Sequence, residues 1–193
     1  AGLIALSTDL DDSVMDAQLS DGKSDIFVVT HEGMSIRFFE DDVRSMGRNA
    51  RGVKGITLSK TDFVVGMEII AKDSTDTVLL VTELGYGKRS SIQEYRSQAR
   101  GGVGLITQKT TDKVGFVVGT SKVTDKNEVM LTTDNGQIIR IKCSEISVIG
   151  RNTQGVKLIN LNPGEKVTGL ALAEEDPEVI PETIPGETVE GVH

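Results

Sequence analysis

At 193 residues the chain can build one domain with a substantial core, and its 21 Lys and Arg against 29 Asp and Glu give a formal net charge of −8 that, taken whole, argues against a nucleic-acid partner. One cysteine, Cys143, excludes an internal disulfide framework and a thiolate zinc cluster, and fits a cytoplasmic protein. No run approaches the ~18 apolar residues of a membrane helix, so neither a membrane partner nor a leader peptide ahead of Leu3 is expected.

In chain order, the first predicted elements are apolar runs at Leu3–Leu6 and Val14–Leu19. A strand from Phe27 to Thr30 leads through the turn His31-Glu32-Gly33 into a second strand ending at Arg37. A polar loop rich in Arg and Gly then runs to Gly55, and Ile56–Leu58 follows. The same succession recurs as Val64–Ile70, Leu79–Thr82, a turn at Gly85, Tyr86–Arg89, the loop Glu94–Gly104 and Leu105–Thr107. It recurs again as Val117–Val123, Met130–Thr133, a turn at Gly136, Gln137–Arg140, the loop Ile149–Lys157 and Leu158–Leu161. Val167–Leu172 closes the pattern after the turn at Pro163-Gly164.

Three columns keep step through these units. Thr30, Thr82 and Thr133 match, as do Gly33, Gly85 and Gly136, and Arg37, Arg89 and Arg140, at offsets of 52 and then 51 residues. Frequent Val, Ile and Thr with 21 Gly favour short strands and tight turns, and no stretch has a helical period. A period near 50 with four short strands per unit predicts an all-β array of propeller-like blades, each of four antiparallel strands. One blade cannot bury both faces alone, so neighbours must stack. The expected division is 1–10 as the last strand of a preceding blade, 11–58, 59–108 and 109–161 as three complete blades, and 162–173 as a closing strand. Residues 174–193 hold seven acids, three prolines and no Lys or Arg, and are expected to be a disordered acidic tail. Without them the count is 21 basic against 22 acidic residues, so the acidity belongs to the tail.

The Arg-Gly loops carry the chemistry. The first contains Arg44, Arg48, Arg51 and Lys54, the second Arg96 and Arg100, the third Arg151 and Lys157. Arg and Lys neutralise phosphates, and Gly lets a backbone approach and donate N–H groups. Recurrence at one structural position would align these cations along one rim, which suits a long polyanion better than a small ligand. Arg37, Arg89 and Arg140 end a strand and are either phosphate ligands or ion-pair partners of Glu40, Glu94 and Glu145. Lys88 and Lys142 are read as phosphate contacts rather than stems covering the core. Tyr95 could stack on a base, but Val43 and Ile146 at matching positions make it a packing residue. His31, His193 and Cys143 lack metal or catalytic partners in the pattern, and the acidic pairs Asp41-Asp42 and Glu174-Glu175 read as solvated faces. Gly101-Gly102-Val103-Gly104 lacks the Lys-Ser/Thr of a phosphate-binding P-loop.

The phrases Ser45-Met46-Gly47-Arg48-Asn49-Ala50-Arg51-Gly52-Val53-Lys54-Gly55, Gly85-Tyr86-Gly87-Lys88-Arg89 and Gly150-Arg151-Asn152-Thr153-Gln154-Gly155-Val156, with Ser144-Glu145-Ile146-Ser147 before the last, closely resemble the C-terminal domain of the DNA gyrase A proteins and their topoisomerase IV relatives. The resemblance covers roughly Gly2 to Leu172. It implies a β-pinwheel, a disc of about six blades whose outer rim wraps duplex DNA, of which this chain would hold about half. It also implies partnership with the remainder of gyrase A and with gyrase B, and places ATP, magnesium and the DNA-cleaving tyrosine on those other parts, leaving no cofactor or active site here. The family's wrapping signature, Gln-Arg-Arg-Gly-Gly-Lys-Gly, is matched only in frame by Gln98–Gly104, which lacks two of its cations, so the signature copy is expected upstream of Ala1. A protein-interaction propeller of the kelch or WD type would also explain the repeats, but its Trp-Asp or Gly-Gly-aromatic signatures are missing. A catalytic propeller would need His or carboxylates clustered at the central channel, which the repeats do not supply.

Overall fold

A computed structural model describes residues 2–173. The described residues contain eleven strands, three single-turn 3-10 segments and no longer helix. They are β1 (Asp25–Thr30), β2 (Met34–Phe39), β3 (Val64–Ile70), β4 (Thr77–Thr82), β5 (Tyr86–Ser91), β6 (Leu105–Ile106), β7 (Val117–Val123), β8 (Glu128–Thr133), β9 (Ile138–Lys142), β10 (Val156–Lys157) and β11 (Val167–Leu172). They form antiparallel sheets in the orders β3-β1-β2-β6, β10-β5-β4-β7 and β11-β8-β9.

Each sheet is built on a hairpin: β1–β2, β4–β5 and β8–β9. The Thr and Gly columns explain these turns. Gly33, Gly85 and Gly136 sit at φ of +85°, +78° and +79°, the left-handed region that Gly enters without a Cβ penalty. Each donates its N–H at 3.0 Å to the carbonyl of Thr30, Thr82 or Thr133. The buried hydroxyls of these threonines close the turn: Thr30 Oγ1 accepts from Met34 N–H at 3.1 Å and Thr133 Oγ1 from Gln137 N–H at 3.2 Å, while Thr82 Oγ1 donates to the Tyr86 carbonyl at 3.2 Å.

The sheets do not follow the unit boundaries expected from the sequence. The inner strand β3 joins the hairpin of the preceding unit by pairing with β1, and β7 and β11 do the same with β4 and β8. The outer strand also comes from the following unit, β6 onto β2 and β10 onto β5. A sheet of four strands therefore spans 25–39, 64–70 and 105–106, not 11–58. The exchange explains which expected strands are missing. Val14–Leu19 stands one period before β3, where it would pair with a hairpin preceding residue 25, and the described residues hold none there, so it forms no strand. Leu3–Leu6 and Ile56–Leu58 form none either, the position equivalent to the outer strands being 53–54. The last sheet has three strands among the described residues, β9 having no outer partner there. The expected strand at Leu158–Leu161 is displaced two residues upstream, to Val156–Lys157, because Gly155 rather than Lys157 aligns with Gly104 ahead of the outer strand. The tail expected to be disordered lies outside the described residues.

Packing between sheets makes the core. In β4, Val78 and Leu80 face a cluster with Phe27, Val29, Ile70, Ile92, Tyr95 and Val117. Leu79 and Val81, pointing the other way, join Val129, Leu131, Cys143, Ile146, Ile159 and Val167. A strand with both faces buried reads as a continuous apolar run, and Val78-Leu79-Leu80-Val81 is one. Fully burying each such side chain contributes roughly 1.5–3 kcal/mol. The inner strands approach closely at glycines: a Cβ on Gly66 would stand 2.7 Å from Thr120 Cγ2, and one on Gly119 would stand 2.9 Å from Leu170 Cβ. With β7 packed against both β3 and β11, the inner strands stand side by side, the sheets fan out from them, and β6 and β10 lie at the outer edge.

Candidate nucleic-acid interface

The three Arg-Gly loops run into the outer strands, or into the segment 53–54 equivalent to them, so their place at the outer edge follows from the topology. Arg44, Arg48, Lys54, Arg96, Lys142 and Lys157 are exposed, and none forms an ion pair among the described residues. Arg44 and Arg96 stand 52 residues apart, in phase with the repeat. Lys54 and Lys157 occupy the same place two periods apart, Lys157 on β10 opposite Tyr86. Arg51 pairs with Asp9 at 3.0 Å, both side chains being more than two-thirds exposed, and such a pair contributes little and leaves the guanidinium accessible.

Other expected contacts are turned inward. Arg37 donates from Nε to Asp25 at 2.7 Å and from Nη1 to the carbonyls of Ile92 and Tyr95 in the next unit. Arg89 repeats this one period later, with Nη1 on Asp125 at 2.7 Å and Nε on the Ile146 carbonyl at 3.0 Å. Tyr95 and Ile146 are equivalent positions, so both arginines bind each hairpin to the 3-10 turn of the unit after it. Their partners are not Glu40 or Glu94, because a carboxylate on the neighbouring strand or turn lies nearer to the guanidinium. Arg140 pairs with Glu128 across β8–β9 rather than with Glu145 and is half exposed. Lys88 is fully buried, its Nζ donating to the Gly150 carbonyl at 2.9 Å, to Thr153 Oγ1 at 3.0 Å and to the Arg151 carbonyl. Phosphate contact is thereby corrected for Lys88, Arg37 and Arg89, whose charged ends are occupied within the fold.

Two loop arginines serve both inside and outside. Arg100 donates from Nε to the Asp42 carbonyl at 3.0 Å and from Nη1 to the Lys54 carbonyl. Arg151 donates from Nη1 to the Ile106 carbonyl at 2.8 Å. Lys54 and Ile106 are one period apart, so these are one repeated clamp on the preceding outer segment, and both arginines keep partial exposure. A cation that the spacing of the motif does not single out also stands here. Exposed Lys109 donates its main-chain N–H to the Thr153 carbonyl at 2.9 Å, beside the third loop, although it lies outside the Arg-Gly motif.

Tyr95 packs instead of stacking on a ligand: it is 2% exposed, meets Phe27 edge-on with centroids 4.8 Å apart, and its hydroxyl shares a hydrogen bond of 2.6 Å with Thr107. Burial pushes the Cys143 thiol above its ordinary pKa, so it is held as the unreactive thiol at neutral pH. Among the described residues no group of His, Cys, Asp and Glu could hold a metal, and no helix is long and apolar enough to cross a membrane.

The family model described as the DNA gyrase C-terminal domain, beta-propeller, matches residues 24–71, 76–124 and 127–174, each match opening just ahead of a hairpin's first strand. The DNA gyrase A protein of Haloquadratum walsbyi is 44% identical over 169 residues, 88% of this chain and 20% of that protein. The DNA gyrase A protein of Staphylococcus aureus (strain NCTC 8325) is 43% identical over 177 residues, 92% of this chain and 20% of that protein. The chain thus spans about a fifth of the length of these curated relatives. Among solved structures, the C-terminal domain of a DNA topoisomerase IV superposes with a TM-score of 0.83 at 25% identity, covering 88% of this chain and 53% of that one. A DNA gyrase A C-terminal domain shares the fold, with a TM-score of 0.81 at 24% identity over 89% of this chain and 58% of the other. Repeats, blade architecture and the matched units agree: the chain belongs to the DNA gyrase C-terminal β-propeller family.

Proposed function

We propose that this chain binds duplex DNA through its phosphates, without sequence preference, along the outer edges of its blades. The observation that carries the reading is the in-phase exposure of Arg44 with Arg96 and of Lys54 with Lys157 at the edge where the outer strands lie. Radiating sheets make that edge a curved track. A duplex following it must bend, which costs on the order of 1–6 kcal/mol for a site of 20–30 bp, so several distributed contacts are needed to hold it. Within a protein of the gyrase A type, the chain would wrap DNA in support of negative supercoiling by the holoenzyme, a type II topoisomerase in the cytoplasm. It would contribute no catalytic residue, the ATP, magnesium and cleavage chemistry residing in the remainder of gyrase A and in gyrase B.

The test is equilibrium binding of the 193-residue chain to two duplexes of unrelated sequence across a range of salt. Phosphate recognition gives equal affinities and a log-log salt slope of roughly −0.9 per contact. Strong preference for one duplex, or affinity insensitive to salt, would overturn the proposal.

A further inference from the structure

We propose that Lys88 is a positioning residue: from the core it grips the backbone of the next unit's loop, Gly150–Thr153, and so aims Arg151 and Asn152 at the outer edge. The inference rests on the DNA reading above for its consequence, but not for the grip itself.

The geometry is specific. A lysine ammonium has three donors, and in water all three are solvated. Lys88 is wholly removed from solvent, and its three hydrogen-bond partners, the Gly150 and Arg151 carbonyls and Thr153 Oγ1, all belong to one loop of the neighbouring unit. A buried charge requires such compensation, and bonds from an ionised donor are stronger than neutral ones. On the other side of the same loop, Glu94 Oε2 accepts the Arg151 N–H at 2.9 Å. The Arg151 residue is therefore held through its carbonyl by Lys88 and through its amide by Glu94, both from the preceding unit. The flanking stitches agree: Arg89 N–H donates to the Ser147 carbonyl at 3.1 Å, Ile149 N–H to the Arg89 carbonyl at 2.8 Å, and Ser90 Oγ to the Ile149 carbonyl at 2.8 Å.

The hairpin does not need a lysine there. Ile36 and Ile139 occupy the equivalent positions, and Ile36 lies against Gly102, where its Cδ1 would stand 3.6 Å from a Cβ on that glycine. An apolar side chain thus suits the fold, and the ammonium is an addition confined to the junction of the second and third units. Burial lowers the Lys88 pKa to about 8, with Glu94 holding it up and Arg151 pressing it down.

Lys88→Met keeps the length without donors, and Lys88→Ile copies the equivalent residue in case the methionine side chain packs badly. Two readouts on the full chain decide the matter. The first is hydrogen-exchange protection of residues 149–153, which should fall in both variants while β4 and β7 keep theirs. The second is a double-mutant cycle with Arg151→Ala on a generic duplex. Lys88→Met alone should weaken DNA binding about fivefold at low salt, and should add no further loss once Arg151 is Ala, because one residue acts through the other. Unchanged protection in both variants overturns the grip. Lost protection with additive losses in the cycle makes Lys88 a merely structural residue and overturns the positioning role. Failure of the wild-type chain to bind DNA would sink the DNA reading and the aim of the loop with it, while the exchange result still decides the grip.

Discussion

Arg89 reaches Asp125 at 2.7 Å from a side chain that is 5% exposed, while the aspartate is 77% exposed. The pair lies half in water, so its own Coulombic worth is small, and the buried bond from Arg89 to the Ile146 carbonyl contributes more. Arg89→Ala should cost about 1–3 kcal/mol, read from urea unfolding at unchanged m. Among folded molecules its DNA salt slope should match wild type. A slope one unit shallower would show that Arg89 touches phosphate after all.

The inner strands set a second limit. Gly119 gives way to Leu170, whose Cβ would stand 2.9 Å from an introduced methyl group. Gly119→Ala should therefore spread β7 from β11 and lower stability by about 1–3 kcal/mol. Thermal unfolding checks this, and a wild-type melting temperature would mean that the sheets can shift apart at no cost.

These two residues illustrate what the sequence conveys. The Thr, Gly and Arg columns mark the repeat from spacing alone, and spacing also locates all three hairpins. It cannot tell to which sheet a strand belongs, because β3 and β6 keep the same period whether they pair within their unit or with the one before. For the same reason periodicity does not separate structural from interfacial arginine. Arg37 and Arg89 recur as strictly as Arg44 and Arg96, yet the first pair is occupied inside and the second is exposed. Lys88 stands where Ile36 stands one unit earlier, and only the neighbouring loop reveals that its charge is enclosed.

The fold should also respond to pH through Glu68 on β3, whose burial raises its pKa to about 7, with Lys122 opposing that rise and Asp16 adding to it. A carboxyl group with a folded-state pKa above its unfolded value binds more protons folded than unfolded between the two. Its contribution is therefore fully present below about pH 4.5 and is lost as pH rises towards about 7. Glu68→Gln should flatten the fall in stability over this window. Parallel pH profiles for the variant and wild type would show that Glu68 is not the group responsible.

The acidic segment gives a prediction that rests on composition. Seven acids without a Lys or Arg between Ala173 and His193 would compete with duplex DNA for the cationic edge. Deleting Glu174–His193 should raise DNA affinity, most at low salt where screening is weakest. Equal affinity with and without these residues would leave them no part in binding.

The most direct test of phosphate recognition at the outer edge is a salt titration of Arg44→Ala, Arg48→Ala, Arg96→Ala and Lys157→Ala, singly and combined, on two unrelated duplexes. Each substitution should weaken binding alike on both and flatten the log-log salt slope by about one unit, the combined variant flattening it by about four. Wild-type affinity and slope in the combined variant would contradict the account, leaving the Arg-Gly loops as turns between strands.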